Sequence, residues 1–296
     1  MSNLVEIKKR IASITSTIKV TKVMQMIATA KVAKIKQMMV IANRYQDMSQ
    51  GILSSYCENT ENNNDLNRFF AENNNYSKKV LLVLMSSDKG TCGSINTNIF
   101  KEFTMLVKQY HNDSSEIYVY PIGKKAAKFL ETNQKKLNIE TFSSINNDAE
   151  DCNSKTIDEV VNLFVNAFAD KKIDEINFVY HKFKNIITCN TICEKVLPLQ
   201  LEANNQQENG NSEFTNIYET ENTAINMIKF FAKTKLYTAY ISNLASIVSS
   251  RMNAMDNATK NGQEIIDELR IKYNKGRQAS ITSELSDIVS GFEAIS

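Results

Sequence analysis

This chain of 296 residues has no tryptophan and only two prolines, Pro121 and Pro198. None falls between Met1 and Tyr120, and none follows Pro198. An interior proline costs a helix about 3 kcal/mol, so both ends of the chain are free to form very long helices. No apolar run approaches the roughly eighteen residues that a membrane-spanning helix needs; the longest, Val80 to Met85, suits a buried strand. The opening MSNLVEIKKRIASI passes straight into helical periodicity. It lacks the apolar segment of a signal peptide, and Glu6 stands too early for a transit peptide. The two histidines, His111 and His181, have no helical i,i+4 partner and no nearby cysteine pair. The five cysteines are odd in number and show no zinc-ligand spacing, which predicts reduced, packed thiols. Asp148, Glu150 and Asp151 cluster in a polar loop and read as a solvated turn. This inventory offers no nucleophile with its base and no metal ligand set, so a free-standing enzyme is disfavoured.

What is present is periodicity. Alternating steps of three and four from Leu4 give Ile7, Ile11, Ile14, Ile18, Thr21, Gln25, Ala28, Val32, Ile35, Met39 and Ala42. That is the a/d stripe of a coiled-coil strand, on a helix of about 80 Å. Such a helix cannot bury its stripe alone. Near the other end, Ile241, Leu244, Val248, Met255, Ala258, Ile265 and Leu269 follow the same step, interrupted by Arg251 and Gly262. This helix would reach about 110 Å, with Gly262 and Gly276 as soft points costing about 1 kcal/mol each. The two termini are expected to pair as an antiparallel coiled coil.

Two asparagine-rich stretches, Glu58 to Asn75 and Ala203 to Glu213, read as linkers. They set the expected organisation: an N-terminal coiled-coil helix over 1–58, a central domain over 76–202 and a C-terminal coiled-coil helix over 214–296. In the middle the period changes. KKVLLVLMS, EIYVYPIG, EINFVYHKF and ITCNTICEKVLPL read as strands. Ile99 to Tyr110, Gly123 to Thr132 and Lys155 to Ala169 read as helices between them, which predicts a parallel-rich, Rossmann-like α/β domain. The expected fold class is therefore α/β with a long antiparallel coiled coil of the terminal helices.

After the first strand, SSDKGTCGSIN makes a glycine-bearing βα turn in the position of a nucleotide site. Its spacing is neither GxGxxG nor a P-loop. A tight turn with Gly90 and Gly93 at positive φ is the favoured reading, and no cofactor is expected. Charge is uneven: Lys8, Lys9, Arg10, Lys19, Lys22, Lys31, Lys34, Lys36 and Arg44 face only Glu6 and Asp47 in the first fifty residues. This is a solvated helix face or a surface for an acidic partner. Nucleic acid is disfavoured, because the rest of the chain is net acidic and no recognition motif is present.

Four blocks resemble a known family. KRIASITSTIKVTKVMQMIATAK, SSDKGTCGSIN, NLASIVSSRMNAMDNATKNG and YNKGRQASITSELSDIVSG, in that order along the chain, are similar to the γ subunits of F-type ATP synthases. The resemblance implies a rotor shaft without a catalytic site of its own. It would turn inside a ring of α and β subunits, with the α/β domain against the ε subunit and the c-ring of the membrane sector. Membrane association would come only through the complex, peripherally, on the cytoplasmic face of a bacterial inner membrane. It also implies that Arg277 and Gln278 contact a loop of the catalytic ring, with Thr282 and Glu284 one turn onward. Lys22 and Met24 would lie on the N-terminal helix segment facing that end, with Arg251 opposite them. Cys92 would lie close to a β subunit, or pack internally. Ser94 stands where the family commonly has glycine, and Gly276 where it has alanine, so extra flexibility is expected beside Arg277. Cys189 and Cys193 do not match the regulatory motif of chloroplast relatives. A non-rotary coiled-coil scaffold is the alternative that periodicity alone would allow.

Overall fold

The computed structural model describes residues 2–58, 69–70, 78–142, 154–199 and 221–293. Of the two stretches read as linkers, only Glu58, Phe69 and Phe70 fall among the described residues. The elements in order are α1 (Ser2–Glu58), β1 (Lys79–Met85), α2 (Ile95–Asn112), β2 (Glu116–Ile122), α3 (Lys124–Leu137), β3 (Glu140–Thr141), α4 (Ser154–Ala169), β4 (Glu175–Phe183), β5 (Cys189–Leu197) and α5 (Glu221–Glu293). They form two compact units, one of Met1–Ala30 with Arg251–Ser296 and the other of Lys31–Ser250.

The first unit is an antiparallel helix pair. Thr21 and Thr259 hydroxyls meet at 2.8 Å, and the Gln25 amide donates to Asp256 Oδ1 at 2.9 Å. Ile18 packs against Gly262 and Leu4 against Gly276. Each step forward on α1 is thus matched by an equal step back on α5. Every α1 position of the predicted stripe in this unit is buried or half-buried, whereas Val20, Val23 and Ile27 beside it are exposed. On α5 the seam differs from the sequence reading. It runs through Met255, Thr259, Gly262, Ile266, Leu269, Tyr273 and Gly276, while Ala258 and Ile265 are exposed. Gly262 is a seam residue, not an interruption: a Cβ there would sit 2.8 Å from Ile18 Cγ1. At Gly276 a Cβ would come within 2.9 Å of Leu4 Cδ2. Both glycines are holes that receive a larger side chain, so the flexibility expected beside Arg277 is occupied by packing.

The second unit is built on a five-stranded sheet of order β3-β2-β1-β4-β5, parallel except for the β4–β5 hairpin. β1 is buried on both faces, as its unbroken apolar run requires. Val80, Leu82 and Leu84 pack on α2 and α3, through Ile99, Phe103, Val107, Ala126 and Leu130. Leu81, Val83 and Met85 face the opposite layer, formed by α4 with the first turns of α5 and Leu53 of α1. Phe69 belongs to this second layer, its ring 5.2 Å from that of Phe168. The Ser49 and Thr234 hydroxyls meet at 2.8 Å, and Thr238 Oγ1 donates to Ala42 O at 3.3 Å, so the two terminal helices are paired here as well. Glu194 on β5 accepts from Tyr180 and Lys235. Burial opposes its charge, but those two donors outweigh burial and hold the carboxyl below its usual range.

All four predicted strands and all three predicted helices of this domain are present, within a few residues of the expected limits. The two-residue β3 was missed: Glu140–Thr141 at the sheet edge carries no apolar pattern. Cys189 and Cys193 both lie on β5 and are free thiols. Four strand residues span about 13 Å, too far for a disulfide between them.

Candidate functional site

The glycine-bearing turn closes on itself. Ser87 N–H donates to Asn96 Oδ1 at 3.2 Å, Ser87 Oγ to Lys89 O at 2.8 Å, and Asn96 Nδ2 to Cys92 Sγ at 3.2 Å. Cys92 is buried, packs with Ile95 and Ile247, and its carbonyl accepts Ser250 Oγ at 2.6 Å. Gly93 has φ 63°, as expected, but the second residue at positive φ is Thr91 (57°) and not Gly90. Asp88 Oδ1 accepts Lys124 N–H and Ser86 Oγ accepts Ala126 N–H, at 3.1 and 2.7 Å, which joins this turn to the start of α3. A phosphate cradle needs backbone N–H groups directed at a ligand. Here the Ser87 N–H is spent on Asn96 and α5 lies against the turn.

Beside it, His181 is buried with Nε2 3.0 Å from Ile95 O and Nδ1 3.2 Å from Thr191 Oγ1. The carbonyl fixes Nε2 as the donor, leaving Nδ1 to accept from the threonine. Burial pushes the imidazole pKa down to about 4, against the opposing effect of the Ile95 bond. Below about pH 6.5 the unfolded chain takes up a proton that the folded chain refuses, so stability is complete above that pH and declines as the pH falls towards 4. The shift corresponds to roughly 3 kcal/mol over that window. His181→Gln is expected to flatten the slope of unfolding free energy between pH 7 and 5. An unchanged slope in denaturant titrations would place the acid sensitivity elsewhere.

The residues singled out in the sequence do not form one cluster. Lys22, Met24, Arg251, Arg277, Gln278, Thr282 and Glu284 belong to the first unit, and Cys92 to the second. Lys22, Met24, Arg277, Gln278, Thr282 and Glu284 are exposed, and Arg251 is half-buried. The expectation that Lys22 and Met24 face the end carrying Arg277 is corrected by the register. Thr21 and Gln25 lie level with Thr259 and Asp256, whereas Gly276 is level with Leu4. Some twenty helical residues separate the two stations, about 30 Å along α5. Thr282 Oγ1 donates to Gln278 O at 2.9 Å and Ser280 Oγ to Glu284 Oε1 at 3.1 Å, so this stretch is held by its own side chains.

One feature of the same stretch escaped the sequence reading. Leu4, near the start of α1, already pairs with Gly276, and every described side chain from Ile281 onward is exposed. Ile281, Leu285, Ile288 and Val289 are 47, 58, 67 and 57% exposed. Their i, i+4, i+7, i+8 spacing gives one apolar face. The signal lies in ITSELSDIVSG, where the same residues that carry the family resemblance also hold the apolar spacing of a surface.

Comparison with known proteins decides the family. The family model described as ATP synthase matches residues 3–295. The ATP synthase gamma chain of Pelagibacter ubique (strain HTCC1062) is 32% identical over 300 aligned positions covering 100% of both chains. That of Pasteurella multocida (strain Pm70) is 30% identical over 297, again 100% of both. The chain belongs to the ATP synthase gamma chain family. As a gamma chain it is a component of the ATP synthase complex, and the scaffold reading falls away. Among solved structures, the rotor of Euglena gracilis mitochondrial ATP synthase is similar at TM-score 0.61 and 16% identity, covering 95% of this chain and 99% of that one. The central stalk and c-ring structure from Tetrahymena thermophila is similar at TM-score 0.59 and 23% identity, covering 81% and 99%. At these identities the likeness is one of fold. Among the described residues of this gamma chain, no helix is long and apolar enough to cross a membrane.

Proposed function

We propose that this gamma chain is the turning shaft of its complex. Proton flow through a c-ring rotates it, and its asymmetric faces bias the catalytic β subunits through their conformations in turn. That bias is a coupling free energy, since a shaft can favour one state only by contacting it differently from the others. The chemistry of ATP would reside on the β subunits and none on this chain. The α and β subunits would surround α1 and α5, while ε and the c-ring would hold the α/β unit, on the cytoplasmic face of a bacterial inner membrane.

The observation that carries this reading is the apolar face at the end of α5. A helix that continues beyond its coiled-coil partner with four large apolar side chains exposed calls for an apolar surround. Apolar contact is non-directional, so a collar of that kind can hold a helix end and still let it turn. Leu285→Asp combined with Ile288→Asp is expected to leave helicity unchanged and to reduce recovery of the chain in an α–β complex at least about tenfold, about 1.4 kcal/mol. Full recovery would remove the tip from the interface.

Arg277 and Gln278 make a polar station directly below that tip, and Thr282 and Glu284 extend it into the tip's first turn. Lys22, Met24 and Arg251 make a second, and Cys92 is assigned to packing. Arg277→Ala with Gln278→Ala is expected to lower ATP-driven proton pumping about tenfold or more in the reconstituted complex, because charge-assisted contacts contribute about 1.5–3 kcal/mol each. Both side chains are exposed, so the circular dichroism melt should not move. Unchanged pumping would remove these two residues from the coupling contact.

A further inference from the structure

In a sheet of order β3-β2-β1-β4, the connections leaving β1 and β4 diverge, and the crevice outside their carboxyl ends is where doubly wound folds bind ligands. In this chain β4 outruns β1 at that crevice. The β1–β4 ladder ends at Leu84 and Val179, whereas β4 continues to Phe183, paired there only with β5. The backbone groups of His181 and Phe183 that face away from β5 therefore have no strand to meet.

Helix α5 supplies the partners from its side chains. Asn243 Oδ1 accepts His181 N–H at 3.2 Å, and Ser242 Oγ accepts Phe183 N–H at 2.9 Å. Ser246 Oγ donates to His181 O at 3.2 Å, with Ser242 Oγ at 3.4 Å from the same oxygen. Ser242, Asn243, Ser246 and His181 are all buried. One residue later on the same helix, Ile247 packs on Cys92 and Ile95, and Ser250 holds the Cys92 carbonyl. A helix that only covered a sheet would need apolar residues at these positions. This one places three polar side chains against a strand backbone in a register set by individual hydrogen bonds.

We propose that Ser242, Asn243 and Ser246 form a clamp that fixes the sheet to α5, making this contact the joint through which torque passes from the α/β unit into the helix. The inference rests on the rotor reading given above. The bonds are directional and buried, so a slip of α5 by one residue, or a twist of the sheet beneath it, leaves each of those backbone groups unpaired. Apolar packing also resists sliding, but it ties no individual backbone group to an individual side chain. The residues act by positioning one element on another and touch no substrate.

The test uses the assembled complex with its catalytic ring immobilised and a bead attached through Lys128→Cys, an exposed site on α3. Angular fluctuation of the resting bead reports the stiffness between ring and sheet. Asn243→Ala with Ser246→Ala is expected to raise the angular variance at least about twofold, since it removes bonds on both the donor and acceptor sides of His181. Amide exchange at His181 should rise with it. Asn243→Ala alone, which leaves the Ser246 bond to His181 O in place, should raise both less than the double variant does. If His181 exchange rises while the variance stays at the wild-type value, the clamp is not the joint. Should the double variant fail to assemble, Ser242→Ala is measured in the same way against the same two outcomes. A wild-type complex that hydrolyses ATP while its bead never turns would overturn the rotor reading, and the clamp with it.

Discussion

Replacing Gly123 with alanine is expected to destabilise the chain by roughly 3 kcal/mol or more. Gly123 joins β2 to α3 at φ 97°, and a Cβ there would lie 2.5 Å from the Ser86 carbonyl oxygen. The obstacle is backbone, so no side-chain rotation relieves it. Moving Ser86 aside would break its N–H bond to Ile122 O at 2.8 Å and the 2.7 Å bond from Ala126 N–H to Ser86 Oγ. Lys125 N–H is also tied to this strand end, through Ser87 O at 3.1 Å. One methyl group would therefore strain the left-handed backbone and disturb the attachment of both β1 and α3. Urea unfolding of the full chain measures the effect. A loss below about 1 kcal/mol, the scale of an ordinary substitution, would mean that the β1 and β2 ends tolerate separation.

Ile14→Asp addresses the helix pair instead. Ile14 lies in the seam, and its Cγ2 is 3.9 Å from the position a Gly262 Cβ would occupy. The substitution removes a half-buried branched side chain and leaves a carboxylate between Ile11, Ile18 and the opposite helix. The combined cost is about 3 kcal/mol, from lost apolar burial and from desolvating a charge with no partner. Val20→Asp is the control, since Val20 is 53% exposed on the outer face and should change little. Thermal melting followed at a helical band should separate the two variants clearly. Equal melting temperatures would show that the seam has been placed on the wrong face of α1.

The two helices show where sequence reasoning is strong and where it fails. On α1 the apolar side chains themselves mark the seam, so the heptad walk from Leu4 to Ala42 found the buried positions directly. On α5 the seam includes Gly262 and Gly276, which carry no hydrophobic signal because the partner's Ile18 and Leu4 fill their space. The walk therefore drifted onto Ala258 and Ile265. Closing the seam at a glycine is a property of two chain segments together and is invisible in either alone. The strands of the α/β unit were legible for the opposite reason, since runs such as VLLVLM and INFVY are buried on both faces. The clamp was not legible: serines and an asparagine on a helix acquire their role only when a strand backbone comes within hydrogen-bond range. The polar stations on the helix pair came from family resemblance, and the register then separated them into two.

The central claim, that this chain is a rotating shaft, is tested most directly by co-expressing it with the α and β subunits of its own source and watching one molecule. The ring is fixed to a surface, a bead is attached at Lys128→Cys, and ATP is supplied. The account predicts an ATP-hydrolysing complex that forms only when this chain is present, with a bead that turns continuously in one direction. An active complex assembled without the chain, or one that hydrolyses ATP around a stationary bead, would contradict it.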